Sequence, residues 1–133
     1  MKKLLLTSVI LFSLVLVVEG QNISVETIQF GTDVQNREVV GADSVFANTV
    51  ERVYCFTHIV GIDQEDSATI THVWYNNNEE KAQVELPVRS SDWRTWSSKS
   101  ILPSWTGQWS VDILGPNGDV LASKTFRIEE SGQ

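Results

Sequence analysis

The stretch that decides the fold is QWSVDILGPNGDVLASKTFRI, residues 108–128. Its first part alternates large apolar side chains, Trp109, Val111 and Ile113, with polar ones, as expected of a strand with one buried face. The run GPNGD that follows has the composition and spacing of a hairpin turn. The stretch therefore predicts two antiparallel strands that share one side of a core.

The same pattern extends over most of the chain. Segments rich in β-branched and aromatic residues alternate with polar, turn-forming runs. They predict strands at 25–30, 52–60, 68–75, 81–88, 93–102, 108–114 and 120–128, with a further short edge strand at 36–40. About seven short strands at this spacing indicate an all-β fold, an antiparallel immunoglobulin-like β-sandwich.

The N-terminus has the pattern of an export signal. Two lysines precede an apolar run, residues 4–18, which is shorter than a comfortable membrane span. We expect cleavage before Gln21, so that 1–20 is a signal peptide and 21–133 is a single exported domain, periplasmic or extracellular. The alternative is an uncleaved signal segment that anchors the chain in a membrane.

The domain that follows is acidic but unevenly charged. Without Lys2, Lys3 and Glu19 it has eight basic and sixteen acidic side chains, a formal charge of −8. This charge opposes nucleic-acid binding and tight docking on anionic lipid. Between residues 87 and 111, however, a single acid, Asp92, accompanies three basic residues and four of the five tryptophans.

The lone cysteine, Cys55, excludes an internal disulfide. An exposed thiol in an oxidising compartment would promote dimers. We therefore expect Cys55 to be buried as a small apolar residue.

The octet DWRTWSSK, residues 92–99, carries the strongest candidate for a binding surface. On a strand, Trp93 and Trp96 face opposite ways, so we expect one ring to be buried and the other exposed. An exposed ring beside Arg94 or Lys99 would form a platform for sugar stacking or for a protein partner. The alternative is a basic side chain that only packs along a tryptophan. The candidate ligand-binding residues are Trp93, Arg94, Trp96 and Lys99, extended by His72 and Trp74 on a neighbouring strand.

The two histidines offer a second candidate. If their strands form a hairpin, His58 lies opposite His72 and Phe56 opposite Trp74, and two facing imidazoles could hold a metal or sense pH. Cys55 points to the other face, and two ligands do not close a metal site. Hydrogen-bonded histidines without metal or cofactor are therefore favoured.

No catalytic motif stands out in the chain. We therefore expect a non-catalytic binding or interaction module whose partner is an envelope carbohydrate or protein. Two alternatives stay open: a metal-binding or enzymatic domain that uses the two histidines, and an assembly module that pairs through an exposed strand edge.

Six blocks of the sequence resemble, in order, the bacterial domain-of-unknown-function 2914 family. They are ERVYCFTHI (51–59), ITHVWYNN (70–77), VELPV (84–88), WRTWSSK (93–99), GQWSVDIL (107–114) and GDVLASKTFRI (118–128). REVVG, residues 37–41, resembles the family's Arg-Glu-Pro-Val-Gly block but has Val39 in place of proline. The resemblance implies a small bacterial β-rich domain and brings no activity or catalytic residue.

Overall fold

The computed structural model describes residues 22–62 and 67–131, so the predicted signal peptide lies outside the described residues. The described residues form ten strands. They are β1 (Ser24–Gly31), β2 (Asp33–Gln35), β3 (Glu38–Val40), β4 (Val45–Ala47), β5 (Arg52–Val60), β6 (Ala68–Asn76), β7 (Glu79–Val88), β8 (Asp92–Ser100), β9 (Gly107–Leu114) and β10 (Val120–Glu129). Across the described ranges, no helix is long and apolar enough to cross a bilayer.

The strands form two stacked sheets and a small ribbon. A three-stranded sheet has the order β1-β5-β8, a five-stranded sheet has the order β4-β10-β9-β6-β7, and β2 pairs with β3 separately. The pairings are antiparallel except for the parallel pair of β4 and β10. The predicted all-β antiparallel sandwich is confirmed, and the three-residue strands β2, β3 and β4 add to the seven long ones.

Phe126 on β10 is a meeting point of aromatic rings from both sheets. Its ring centroid lies 4.5 Å from that of Phe30 on β1, 6.1 Å from that of Trp74 on β6 and 5.7 Å from that of Trp109 on β9. All four side chains are buried. Aromatic pairs at such distances add about 0.5–1.5 kcal/mol each to the effect of area burial, so this cluster fastens the sheets together.

The hairpin expected between β5 and β6 does not form. β5 lies between β1 and β8 in one sheet, whereas β6 lies between β9 and β7 in the other. His58 is therefore opposite Arg94 and Phe56 is opposite Trp96, and the predicted pairing of the two histidines is wrong. The physical reason is that the chain changes sheet between β5 and β6, as consecutive strands of a sandwich can do.

Candidate ligand-binding face

The register of β5 and β8 creates a polar and aromatic outer face on the three-stranded sheet. Phe56 is opposite Trp96 and His58 is opposite Arg94, while Thr57 between them is fully buried. Because side chains alternate along a strand, the four paired side chains point away from the core. We call Arg52, Phe56, His58, Arg94 and Trp96 the outer-face platform.

Two stacked rings form the apolar centre of this platform. The rings of Phe56 and Trp96 are nearly parallel, at 14° with centroids 6.1 Å apart. Phe56 is only 5% exposed, whereas Trp96 is 36% exposed. Because β8 is an edge strand of its sheet, no further strand of that sheet covers the side of Trp96 away from Phe56.

A charged group lies at one end of the stack. His58 Nε2 is hydrogen-bonded to Asp92 Oδ1, and Arg94 Nη1 lies 3.5 Å from the same oxygen. The hydrogen bond from His58 holds the pKa of the Asp92 carboxyl below its usual value, and the charge of Arg94 acts in the same direction. Asp92 is thus a carboxylate at neutral pH, while Arg94, with one long contact to it, keeps most of its donors free.

Arg52 lies at the other end of the stack. Its Nη1 donates to Ser98 Oγ at 2.7 Å and its Nη2 donates to Ser100 Oγ at 2.8 Å. Within residues 22–62 and 67–131, the Arg52 guanidinium has no carboxylate at ion-pair distance. The two hydroxyls orient this guanidinium without neutralising it.

A pocket of about 360 Å³ opens where the β2–β3 ribbon meets the platform. It is lined by Thr27, Gln29, Arg37, Glu38, Val39, Phe56, His58 and Arg94. The side chains supply both charge signs, amide and hydroxyl groups and one aromatic ring. Such a mixed lining suits a ligand with many hydrogen-bonding groups.

Arg37 reaches this pocket from a strained position. Asn36 and Arg37 form the two-residue turn of the ribbon and have φ angles of 52° and 60°. Asparagine tolerates this left-handed conformation, but the second position of such a turn usually holds glycine. The cost of arginine there is about 1–2 kcal/mol, and strain of this kind often marks a functional position.

Two residues of the octet lie outside the platform. Trp93 is opposite the buried Ile59 and packs against the core, and Lys99 is opposite Val53 on the same inner side. The Lys99 ammonium lies 5.3 Å from the ring centroid of Trp105. The expectation that the two tryptophans face opposite ways is confirmed, but of the four octet candidates only Arg94 and Trp96 share the outer face.

The proposed extension of the platform by His72 and Trp74 is wrong. Both side chains are fully buried, and β6 belongs to the other sheet. The error follows from the hairpin expected between β5 and β6, which would have placed these residues beside Phe56 and His58.

His72 instead belongs to a buried hydrogen-bond chain that joins the two sheets. Trp74 Nε1 donates to Ser97 Oγ at 3.0 Å, and Ser97 Oγ lies 2.6 Å from His72 Nδ1. Thr57 Oγ1 lies 3.2 Å from His72 Nε2 and donates to the Thr95 carbonyl at 2.9 Å. Since each hydroxyl has one proton, Ser97 donates to Nδ1 and the imidazole donates to Thr57 from Nε2.

This chain of donors requires a neutral imidazole. Burial lowers the pKa of His72 to about 4. Ser97 and His72 are close enough to act as nucleophile and base, but they are only 6% and 0% exposed. A substrate has no access to them in this arrangement, which therefore favours a structural role.

The described ranges contain no group of three or more histidine, cysteine or acidic side chains placed to hold a metal ion. Cys55 is free and fully buried, as expected. Burial raises the pKa of its thiol, which keeps the sulfur unreactive.

A second concavity, of about 490 Å³, lies between β1 and β10. There the Lys124 ammonium donates to the Ile28 carbonyl at 2.8 Å. Since β1 is an edge strand, this contact occupies one acceptor that an added strand would need.

Arg52, Phe56, His58 and Arg37 were not among the ligand-binding residues expected from the sequence. Tyr54, Phe56 and Val60 alternate along β5 on its outer side, a pattern typical of either a covered face or an exposed aromatic patch. The partner strand was the missing information, because a register between two strands far apart in sequence leaves no local pattern. For Arg37 the only signal was an Asn-Arg pair where Asn-Gly is usual.

Comparison with known proteins gives a match to one family model and no activity. The model of the DUF2914 family, described as a protein of unknown function, matches residues 67–128. This range holds all of β6, β7, β8 and β9 and most of β10, and thus includes Arg94 and Trp96. No curated protein matches the chain. The predicted resemblance is confirmed over residues 67–128, which match the DUF2914 family model, while the resembling blocks at 37–41 and 51–59 lie outside that match.

Proposed function

We propose that this protein is a non-catalytic binding module that works outside the cytoplasm, and that its outer-face platform binds carbohydrate. The observation that carries this proposal is the exposed Trp96 ring, stacked on Phe56 at the edge of the sheet. A flat indole surface can lie against the apolar face of a sugar ring. The export signal expected at 1–20 is the basis for the location.

The groups around Trp96 suit the polar rim of a sugar. Arg94, His58 and Asp92 lie beside the stack, and Gln29 and Thr27 line the adjoining pocket. Together they offer both donors and acceptors, which a ring with several hydroxyl groups requires.

Carbohydrate fits the platform better than a protein partner does. Stable protein interfaces have a contiguous, largely apolar centre. The large apolar side chains that are exposed in the described residues are Val40, Val45, Trp96, Leu102 and Val120, and they lie on different strands and loops. Trp96 is the platform's one member of this set. A single exposed ring is enough to stack on a sugar, but it does not form the contiguous apolar centre of a protein interface.

Tryptophan fluorescence tests the proposal. Sugar stacking on Trp96 should change the emission of the wild-type protein during titration with envelope glycans. Trp96→Ala should abolish that change while the protein stays folded, because the ring is at the surface. Leu102→Ala is the matched control, since Leu102 is exposed in the loop after β8. Equal glycan binding by Trp96→Ala and the wild type would contradict the proposal.

A further inference from the structure

We infer, resting on the proposed function, that the carbohydrate is a linear acidic polysaccharide whose anionic groups lie at Arg52 and Arg94, on either side of the Trp96 ring. The inference depends on three features of the outer face: its linear layout, its charge, and the way in which its guanidinium groups are held.

The three side chains lie in one row along β8. Arg94 and Trp96 are on β8 itself, and Arg52 is opposite Ser100, the last residue of the same strand. Ser100 is six positions after Arg94, which is about 20 Å at the usual rise of a strand. The row thus extends along one strand, as required for an extended chain that passes over the Trp96 ring.

The charge of this face is opposite in sign to that of the domain. Arg37, Arg52 and Arg94 are three of its eight basic side chains, and all lie on or beside the platform. Two acids accompany them, Glu38 in the pocket and Asp92, whose carboxylate is already engaged by His58. An anionic ligand would therefore be attracted to this face, although the domain as a whole is acidic.

The guanidinium groups are available for bidentate contacts. Arg52 is held by the hydroxyls of Ser98 and Ser100 rather than by a carboxylate. Arg94 makes one long contact, at 3.5 Å, with Asp92. A carboxylate of an acidic sugar offers the paired oxygens that such planar groups bind most strongly.

The test compares polygalacturonate oligosaccharides with the same oligosaccharides after reduction of their carboxyl groups. Alginate and hyaluronate serve as further acidic probes, and poly-glutamate serves as an acidic chain without sugar rings. Tryptophan emission and calorimetry report binding to the wild type and to Trp96→Ala, Arg52→Gln, Arg94→Gln and the double arginine variant. Arg127→Gln is the control, since Arg127 is exposed on β10 of the other sheet.

We expect at least one acidic glycan to bind at least tenfold more tightly than a neutral glycan does. Each single arginine variant should weaken acidic binding about tenfold, as loss of one charge-assisted contact would. Arg127→Gln should leave binding unchanged, and added salt should weaken it.

The outcomes separate the two proposals. Equal affinity for acidic and reduced oligosaccharides, with loss of both in Trp96→Ala, would overturn the acidic ligand and leave the carbohydrate platform intact. Tight binding of poly-glutamate that matches the glycans would overturn the choice of carbohydrate. If no acidic glycan binds, or if Arg52→Gln and Arg94→Gln bind as the wild type does, the inference fails.

Discussion

At the scale of single residues, His72 connects burial with pH dependence. Its pKa is about 4 in the folded protein, against an ordinary value of 6.5. Between these two values the unfolded chain binds more protons than the folded chain, so the free energy of unfolding decreases as the pH falls. The slope from this residue is about 1.4 kcal/mol per pH unit, and the total is about 3 kcal/mol.

We therefore expect His72→Gln to remove this part of the pH dependence. A glutamine can accept from Ser97 and donate to Thr57, as the neutral imidazole does, without titrating. Urea unfolding at several pH values between 4 and 7 measures the effect. The hydrogen-bonded Asp92 also contributes acid sensitivity, but it is present in both proteins and cancels in the comparison. Parallel stability curves for the two proteins would contradict the prediction.

At Arg37, the effect of backbone strain on stability can be compared with the contribution of the side chain to ligand binding. Replacement by glycine should relieve the strain of the left-handed backbone conformation. Part of the gain in stability is lost because glycine also gives the unfolded chain more conformational freedom. We expect Arg37→Gly to raise the free energy of unfolding by about 0.5–1 kcal/mol, measured by urea unfolding, and to weaken acidic glycan binding.

Asn36→Gly is the matched control for this variant. Asparagine tolerates a positive φ, so the change at position 36 should alter stability by much less. If Arg37→Gly proved less stable than the wild type, the ribbon arginine would have a packing role instead.

At the scale of elements, β1 shows how a sheet edge is protected. Its pairing with β5 shifts register between Val25 and Thr27, and Lys124 covers the Ile28 carbonyl. Bulges and lysines of this kind obstruct the addition of another strand. Both features weigh against the alternative in which the protein assembles through this edge.

Lys124→Met should therefore increase self-association. The change removes the charge and the contact to the carbonyl while keeping a similar length of side chain. Sedimentation velocity over a range of concentrations measures the effect, and Arg127→Met is a control on the same strand. Monomeric behaviour of Lys124→Met at every concentration would show that β1 is protected by other means.

At the scale of the whole molecule, the sequence predicted the features that leave a local pattern, namely strands with alternating side chains and the turns between them. Alternation around Trp109 and the turn at 115–119 located β9 and β10, and the polar run Asn76-Asn77-Asn78 contains the turn of the β6–β7 hairpin. Strands of three residues are too short to show an alternation, and β2, although beside the expected edge strand, was missed for this reason.

The candidate site was predicted only in part, because its formation depends on which strands share a sheet. Because side chains alternate along a strand, the odd spacing between Trp93 and Trp96 was enough to predict that the two rings lie on opposite faces. The strand that pairs with β5 could not be deduced in this way. The sequence around His58 does not indicate whether the neighbouring strand is β6 or β8. The wrong neighbour led to the inclusion of His72 and Trp74 and to the omission of Phe56 and Arg52.

The buried hydrogen-bond chain from Trp74 to the Thr95 carbonyl also limits how far the two sheets can slide over each other. Its hydrogen bonds join β6 of one sheet to β5 and β8 of the other. A shift of one sheet by a single residue pair would separate these groups and leave several buried polar atoms unpaired, each at a cost of about 1–3 kcal/mol. Apolar side chains can form new contacts after such a shift, but these hydrogen bonds cannot form again. They therefore restrict the sandwich to one alignment of its two sheets. The alignment of β5 and β8 over the five-stranded sheet is thus specified from within the core.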